Sequence, residues 1–114
     1  MSSRAIADKM IMDCIEATTR CANECQESID YCLAQGGRHV MPHHMKSMID
    51  CAEICRTCDD YMLRRSEYMR EMCRVCADVC ATCAESCSGM EGDKKMQDCA
   101  EVCNRCAEAC RQMV

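Results

Sequence analysis

The chain has 114 residues, a formal net charge of −5 and 16 cysteines, but no tryptophan or phenylalanine. This length predicts one domain, 1–114, and six Ile, five Val and two Leu are too few to form an ordinary hydrocarbon core. The charge is spread out with no basic patch, which argues against nucleic-acid binding, and no segment approaches the ~20 apolar residues of a membrane span.

Four helical segments, separated by turn residues, follow one another along the chain. Ser3 is predicted to cap the first helix and Gly36-Gly37 to end it, and Pro42 suits the first turn of the second. Ser66 and Asp93 are predicted to cap the third and fourth helices. The helices are predicted at 4–34, 42–63, 67–88 and 93–112. Because short connections make consecutive helices antiparallel, the sequence predicts an all-α, up-down-up-down four-helix bundle.

The cysteines recur at helical spacing in each of these segments. In the third, they follow steps of three and four from Cys73 to Cys87, which places five thiols within an arc of about 80° on a helix. We call each such row a sulfur stripe. Because an uncharged cysteine behaves as a small hydrophobe, the four stripes predict a core lined with cysteine. The cysteines predicted to line it and to bind metal are Cys14, Cys21, Cys25, Cys32, Cys51, Cys55, Cys58, Cys73, Cys76, Cys80, Cys83, Cys87, Cys99, Cys103, Cys106 and Cys110.

The cellular compartment decides how these thiols are interpreted. The first residues mix charges with short apolar runs and lack the apolar segment and cleavage site of a secretory signal. We therefore expect a cytoplasmic protein, in which thiols stay reduced and a disulfide framework is disfavoured. Disulfides within a helix also fit poorly, because Cβ atoms three or four residues apart are ~5–6 Å from each other and a disulfide needs ~3.8 Å.

Thiolates at this spacing favour soft metal ions, of which Cu(I), zinc and iron–sulfur clusters are the candidates. One Cu(I) per bridging thiolate leaves the core neutral, whereas zinc with four thiolates leaves two uncompensated negative charges. The ferredoxin run C-x₂-C-x₂-C-x₃-C-P is absent. The pattern favours storage of multiple Cu(I) ions, on the order of 16 per chain. An iron–sulfur electron-transfer protein and a zinc buffer remain alternatives, and an enzyme is disfavoured because no nucleophile paired with histidine and carboxylate stands out.

Methionine and histidine lie beyond the ends of the stripes. The methionines predicted at one end of the bundle are Met10, Met62, Met69 and Met113, and those at the other are Met48, Met90 and Met96. Thioether sulfur is a soft donor, although a methionine near a helix end is also a common gap-filling residue. Thr18 and Ser28 lie near stripe positions of the first helix where thiols could sit.

His44 lies seven residues before Cys51, on the same helical face, with Met48 between them. We predict that His44 and Met48 bind metal where copper first meets the bundle. The alternative is a solvated loop in which the histidines have no metal-binding role.

The motifs just described are CAEICRTC at 51–58, EMCRVCADVCATCAESC at 71–87, CAEVCNRCAEAC at 99–110 and HVMPHHM at 39–45. Over essentially its whole length, the chain resembles the cytosolic branch of the Cys-rich four-helix-bundle copper storage proteins of bacteria. The resemblance implies Cu(I) bound along the bundle interior by the stripe cysteines, with His and Met at one open end. It also implies a homo-oligomer, often a tetramer. A copper chaperone or a small copper carrier is the expected partner.

Overall fold

A computed structural model describes residues 2–114, most of which lie in four long helices. These are α1 (Ser3–Gln35), α2 (Pro42–Leu63), α3 (Met69–Ser88) and α4 (Lys94–Arg111), with a 3₁₀ helix (Gly37–Val40) between α1 and α2. Helix α1 packs against α2 and α4, and α3 packs against the same two helices. The predicted all-α four-helix bundle is confirmed, and it forms a rod of 51 × 21 × 18 Å.

Local sequence signals explain most of the helix ends. The Asp93 carboxylate accepts a hydrogen bond of 3.1 Å from the backbone N–H of Met96, which confirms Asp93 as the cap of α4. Pro42 occupies the first turn of α2, where its missing N–H costs nothing. Gly36 ends α1 at φ 68°, in a region that glycine enters without steric cost, and its N–H donates to the carbonyl of Cys32.

Two predicted caps are wrong. Helix α1 begins at Ser3 itself, and the cap is Ser2, whose hydroxyl accepts from the N–H of Ala5 at 3.1 Å. Helix α3 begins at Met69 rather than at residue 67. The Ser66 hydroxyl instead accepts from the N–H of Tyr68, because the chain reverses in a tight turn that first places Arg65 at φ 53°.

Buried alanines allow the helices to approach closely. Six of them are at most 5% exposed, and each directly follows a stripe cysteine. They are Ala22, Ala52, Ala77, Ala84, Ala100 and Ala107. The methyl groups beside these six thiols fill the seams between neighbouring helices without pushing the sulfur stripes apart, so the core stays narrow.

We expect Ala77→Leu to lower the free energy of unfolding of the reduced, metal-free protein by about 1–3 kcal/mol, because extra methyl groups have no room in this seam. Urea unfolding followed by circular dichroism measures the change. Ala34→Leu is the matched control, since Ala34 is an exposed residue of α1. Equal stabilities of the two variants would contradict the proposed role of the alanines.

Candidate metal centre

The sixteen cysteine side chains form the centre of the bundle. Each is at most 1% exposed, and all are free thiols. The helical spacing, of seven and four residues in α1 and of three and four residues in the other helices, brings every stripe to the bundle axis, as the sequence predicts. The interior of this protein is therefore a column of sulfur that runs along the rod.

Sulfur atoms from different helices lie in van der Waals contact along this column. Cys80 Sγ lies 3.5 Å from Cys51 Sγ and 3.6 Å from the Sγ atoms of Cys55 and Cys106. Cys21 Sγ of α1 lies 3.6 Å from Cys51 Sγ. Metal–sulfur bonds near 2.3 Å place two sulfurs of one ion roughly 4–4.6 Å apart, so small side-chain movements make room for an ion between neighbours.

Four groups of thiols are compact enough to hold an ion, with all Sγ atoms of a group within 4.8 Å of one another. The groups are Cys21–Cys55–Cys80–Cys106, Cys21–Cys25–Cys51–Cys103, Cys25–Cys83–Cys99–Cys103 and Cys58–Cys76–Cys110. Cys21, Cys25 and Cys103 each belong to two groups. Because these sulfurs are shared, neighbouring sites can be filled together only if thiolates bridge between ions.

The electrostatics of the core favour thiols over thiolates until a cation arrives. Burial raises the pKa of Cys32 to about 11, and the negative charge of Asp93 adds to the effect. Deeper in the column, hydrogen bonding between Cys21 and Cys103 lowers the pKa of Cys21 and raises that of Cys103. Neighbouring thiols thus stabilise one thiolate while making the next deprotonation harder, and further ionisation requires positive charge.

At one end of the column, which we call the histidine end, the sulfur donors are joined by a ring nitrogen. His44 is 4% exposed, and Met48 is completely buried. His44 Nε2 lies 3.5 Å from Cys32 Sγ, which in turn lies 3.7 Å from Met96 Sδ. The structure thus brings His44 to the sulfur column, and Met48 lies one helical turn from it on α2.

Ser86 orients the His44 ring through a hydrogen bond of 2.8 Å between its hydroxyl and Nδ1, which leaves Nε2 directed at the sulfur. The sequence analysis missed this contact, because Ser86 differs in no way from other polar residues on the flank of α3. Burial lowers the pKa of His44, so the ring is neutral near pH 7 and its nitrogen is available to a metal.

A polar cluster at the histidine end connects the C-terminal end of α1, the 3₁₀ helix and the start of α4. Asp93 Oδ2 accepts a hydrogen bond from the Tyr31 hydroxyl at 2.9 Å and lies 2.7 Å from His39 Nε2. Burial by itself would raise the pKa of Asp93, but the hydrogen bonds from His39, the Met96 N–H and Tyr31 hold it below its usual value. Tyr31, without an assigned role in the sequence, thereby connects α1 to the start of α4.

The opposite end, which we call the methionine end, comprises Met10, Met62, Met69 and Met113. Met62 is completely buried, Met69 and Met113 pack against the core, and Met10 is 38% exposed. Two pairs of thiols lie inside this layer, with Sγ atoms 3.8 Å apart in Cys14–Cys110 and 3.6 Å apart in Cys58–Cys73.

Two hydroxyls interrupt the sulfur stripe of α1, where Thr18 and Ser28 are both fully buried. Thr18 donates to the carboxylate of Asp59, whose other oxygen accepts from Thr19 at 2.8 Å. Burial raises the pKa of Asp59, although these two hydrogen bonds oppose the change. The sequence analysis missed this buried carboxylate, since Asp59 directly follows Cys58 and gives no periodic signal of its own. The Ser28 hydroxyl is buried without a hydrogen-bond partner.

This arrangement of residues matches a known family. The sequence model of the family described as copper storage protein, Csp, covers residues 7–114 of the chain. The chain belongs to the copper storage protein family. The Cys-rich, four-helix organisation that the sequence predicts is thus shared by known proteins along nearly the entire chain.

Solved structures agree with this assignment. A crystal structure of a protein from Nitrosospira multiformis has 39% identity and a TM-score of 0.87, covering 93% of this chain and 95% of that one. The Cu(I)-bound copper storage protein BsCsp3 of Bacillus subtilis has 34% identity and a TM-score of 0.85, with coverages of 91% and 97%. A cytosolic copper storage protein from Streptomyces lividans, solved with five coppers, has 28% identity and a TM-score of 0.84, with coverages of 96% and 95%.

Removing the Ser28 hydroxyl should stabilise the metal-free protein. A buried hydroxyl without a partner costs about 1–3 kcal/mol, so we expect Ser28→Ala to raise the free energy of unfolding by about 1 kcal/mol. Urea unfolding under reducing, anaerobic conditions measures this. Ser47→Ala is the control, because the buried Ser47 hydroxyl donates to the His44 carbonyl at 2.8 Å, and its removal should bring no gain. A Ser28→Ala variant less stable than the wild type would contradict the prediction.

The buried His44 ring predicts a pH dependence of stability. Its pKa in the folded protein lies below the ordinary value of 6.5, so the unfolded chain binds an extra proton as the pH falls through that value. The contribution of His44 to stability is complete above about pH 6.5 and is lost below it, with a slope that approaches ~1.4 kcal/mol per pH unit. Urea unfolding at about pH 7.5 and about pH 5.5 tests this. His44→Gln should remove part of the loss, and His43→Gln, a change at an exposed neighbour, should not.

Proposed function

We propose that this chain stores Cu(I) in the cytosol, holding on the order of 16 ions between the thiolates of its sixteen cysteines and releasing them without chemical turnover. The observation that carries the proposal is the sharing of Cys21, Cys25 and Cys103 between groups of sulfurs. Shared sulfurs suit an ion that accepts bridging thiolates and needs only two or three of them.

The same sharing weighs against a zinc buffer. Zinc takes four ligands in a closed site, so the group Cys21–Cys25–Cys51–Cys103 cannot be closed by its own four ligands together with either group that shares its sulfurs. Each zinc with four thiolates would also leave two negative charges in a core that excludes water. An iron–sulfur protein is disfavoured because the cysteines lie along continuous helices, whereas the ferredoxin motif wraps a loop around one cluster.

Charge balance explains how the core can fill completely. Burial in this core disfavours the charged thiolate, as the raised pKa of Cys32 illustrates. Each Cu(I) that binds to a thiol replaces its proton, which leaves for solvent. The net charge of the core therefore stays the same. Loading can therefore continue from one group to the next without accumulating buried charge.

His44 and Met48 are proposed as additional ligands at the histidine end. The support is the 3.5 Å distance from His44 Nε2 to Cys32 Sγ, the neutral state of the ring and the full burial of Met48 on the same helix. A neutral imidazole or thioether binds Cu(I) without releasing a proton, which suits a ligand that receives ions before the thiols do.

The cytosolic location draws on the Streptomyces lividans relative, which is described as cytosolic. Within residues 2–114, no helix is long and apolar enough to cross a membrane. We further propose that the chain forms a homo-oligomer and exchanges copper with a chaperone or a small carrier. Exposed apolar side chains on different helices, such as Leu33, Leu63 and Val75, offer surface for such contacts.

Anaerobic titration of the reduced protein with Cu(I) tests the storage function. Ultraviolet thiolate-to-copper absorption should rise linearly to about one ion per thiol, and the loaded protein should be colourless. A chelator competing for copper reports the end point, and parallel titrations with Zn(II) and Fe(II) plus sulfide serve as comparisons. Saturation at about four ions per chain would favour zinc-type sites and contradict copper storage.

A further inference from the structure

At the methionine end, α1, α2 and α3 each carry one methionine beyond the sulfur stripe, and a fourth, Met113, follows the end of α4. Each methionine lies three or four residues from the terminal cysteine of its stripe, and the three on helices stay on the same helical face, about one turn further out. The pairs are Met10 with Cys14, Met62 with Cys58, Met69 with Cys73 and Met113 with Cys110. All four segments of the bundle thus contribute a thioether at this end.

The methionine end is open to solvent through a groove. The groove has a volume of 260 Å³, and its lining includes Met10, Met69 and Met113, together with Ile11 and Val114. The groove is thus lined by one methionine from α1, one from α3 and one from the residues that follow α4. Met62, from α2, is completely buried and lies one turn from Cys58.

All four of these positions hold methionine rather than leucine. The chain has 12 methionines and two leucines, Leu33 and Leu63, and the leucines are 61% and 59% exposed. Leucine would seal the end of a bundle with a better defined side chain, since methionine is flexible and specifies packing poorly. Methionine at all four positions places a soft sulfur donor at the end of every stripe.

We propose that Met10, Met62, Met69 and Met113 form a second Cu(I) site, which passes ions to the thiols at the methionine end. This inference rests on the proposed storage function. Thioethers are neutral, soft donors, and they bind the ion without losing a proton. The ion then moves to a thiolate of Cys14 or Cys110, whose Sγ atoms lie 3.8 Å apart, as that thiol releases its proton to solvent. Charge is conserved in each step, and the transfer runs from a neutral donor to an anionic one.

Nuclear magnetic resonance of the full chain, with ¹³C-labelled methionine methyl groups, tests the site directly. Single Met→Leu substitutions assign the methyl signals. During anaerobic titration with Cu(I), the signals of Met10, Met69 and Met113 should shift, while that of Met12, which is 52% exposed, should not. Methyl signals of the methionine end that stay unchanged up to saturation would overturn the proposal.

Loading kinetics test the transfer. In a His44→Ala/Met48→Leu background, which disables the histidine end, we expect Met10→Leu/Met69→Leu to slow loading by about tenfold, equivalent to ~1.4 kcal/mol. The matched control is Met12→Leu/Met72→Leu, which changes neighbouring residues on the same two helices. Equal loading rates of the two quadruple variants would overturn the proposal.

The number of Cu(I) ions bound at equilibrium tests the storage function, whereas the loading rate tests the role of the methionine end. Leucine conserves the volume of methionine, and both variants carry the same substitutions at the histidine end, so they should be equally well folded. Because both keep all sixteen thiols, they should fill the thiol sites with the same number of ions at equilibrium. A wild-type capacity far below one ion per thiol would overturn copper storage itself. A full capacity combined with equal loading rates would overturn only the role of the methionine end.

Discussion

The structure depends on contacts between uncharged sulfur atoms at the axis of the bundle. Sγ atoms lie 3.5–3.8 Å apart from α1 to α4, and they give the empty protein a core that hydrocarbon side chains are too few to provide. The same atoms become anionic ligands when protons are replaced by metal. A core with both states must remain neutral in each of them, which one monovalent cation per thiolate achieves and a zinc ion closed by four thiolates does not.

Helix geometry allows the same thiols to pack as a core and to bind metal. Steps of three, four and seven residues keep every thiol on the axis, and a buried alanine after six of the cysteines keeps the helices close, as with Cys76 and Ala77. Thiols from adjacent helices therefore lie close enough to share one ion, and the bundle need not change its fold to bind it. The two hydroxyls of α1, Thr18 and Ser28, are the exception, because they occupy core positions without adding a thiolate.

The sequence predicts those features that depend on local spacing. The four stripes, the Pro42 start and the Asp93 cap follow from residues within one or two turns of each other. Which sulfurs share a site does not follow, because it depends on the axial register and rotation of four helices, as in the group of Cys21 with Cys55. The sequence places the start of α3 at residue 67 rather than at Met69 for a related reason. The tight turn at Arg65 is set by the packing of the helices that it joins.

The shape of the column bears on how long an ion is retained. The rod is 51 Å long and 21 × 18 Å across, so the central thiols are enclosed on all sides by helices. Cys80 contacts sulfurs of α2 and α4 and is completely buried, which means that an ion there reaches solvent either along the column or when helices separate. Movement along the column exchanges one thiolate for the next and breaks few bonds at a time, whereas separating helices exposes the core. Ions should therefore leave through the ends, where the ligands that we propose, imidazole and thioether at one end and thioether alone at the other, would set the rate at which stored copper is released.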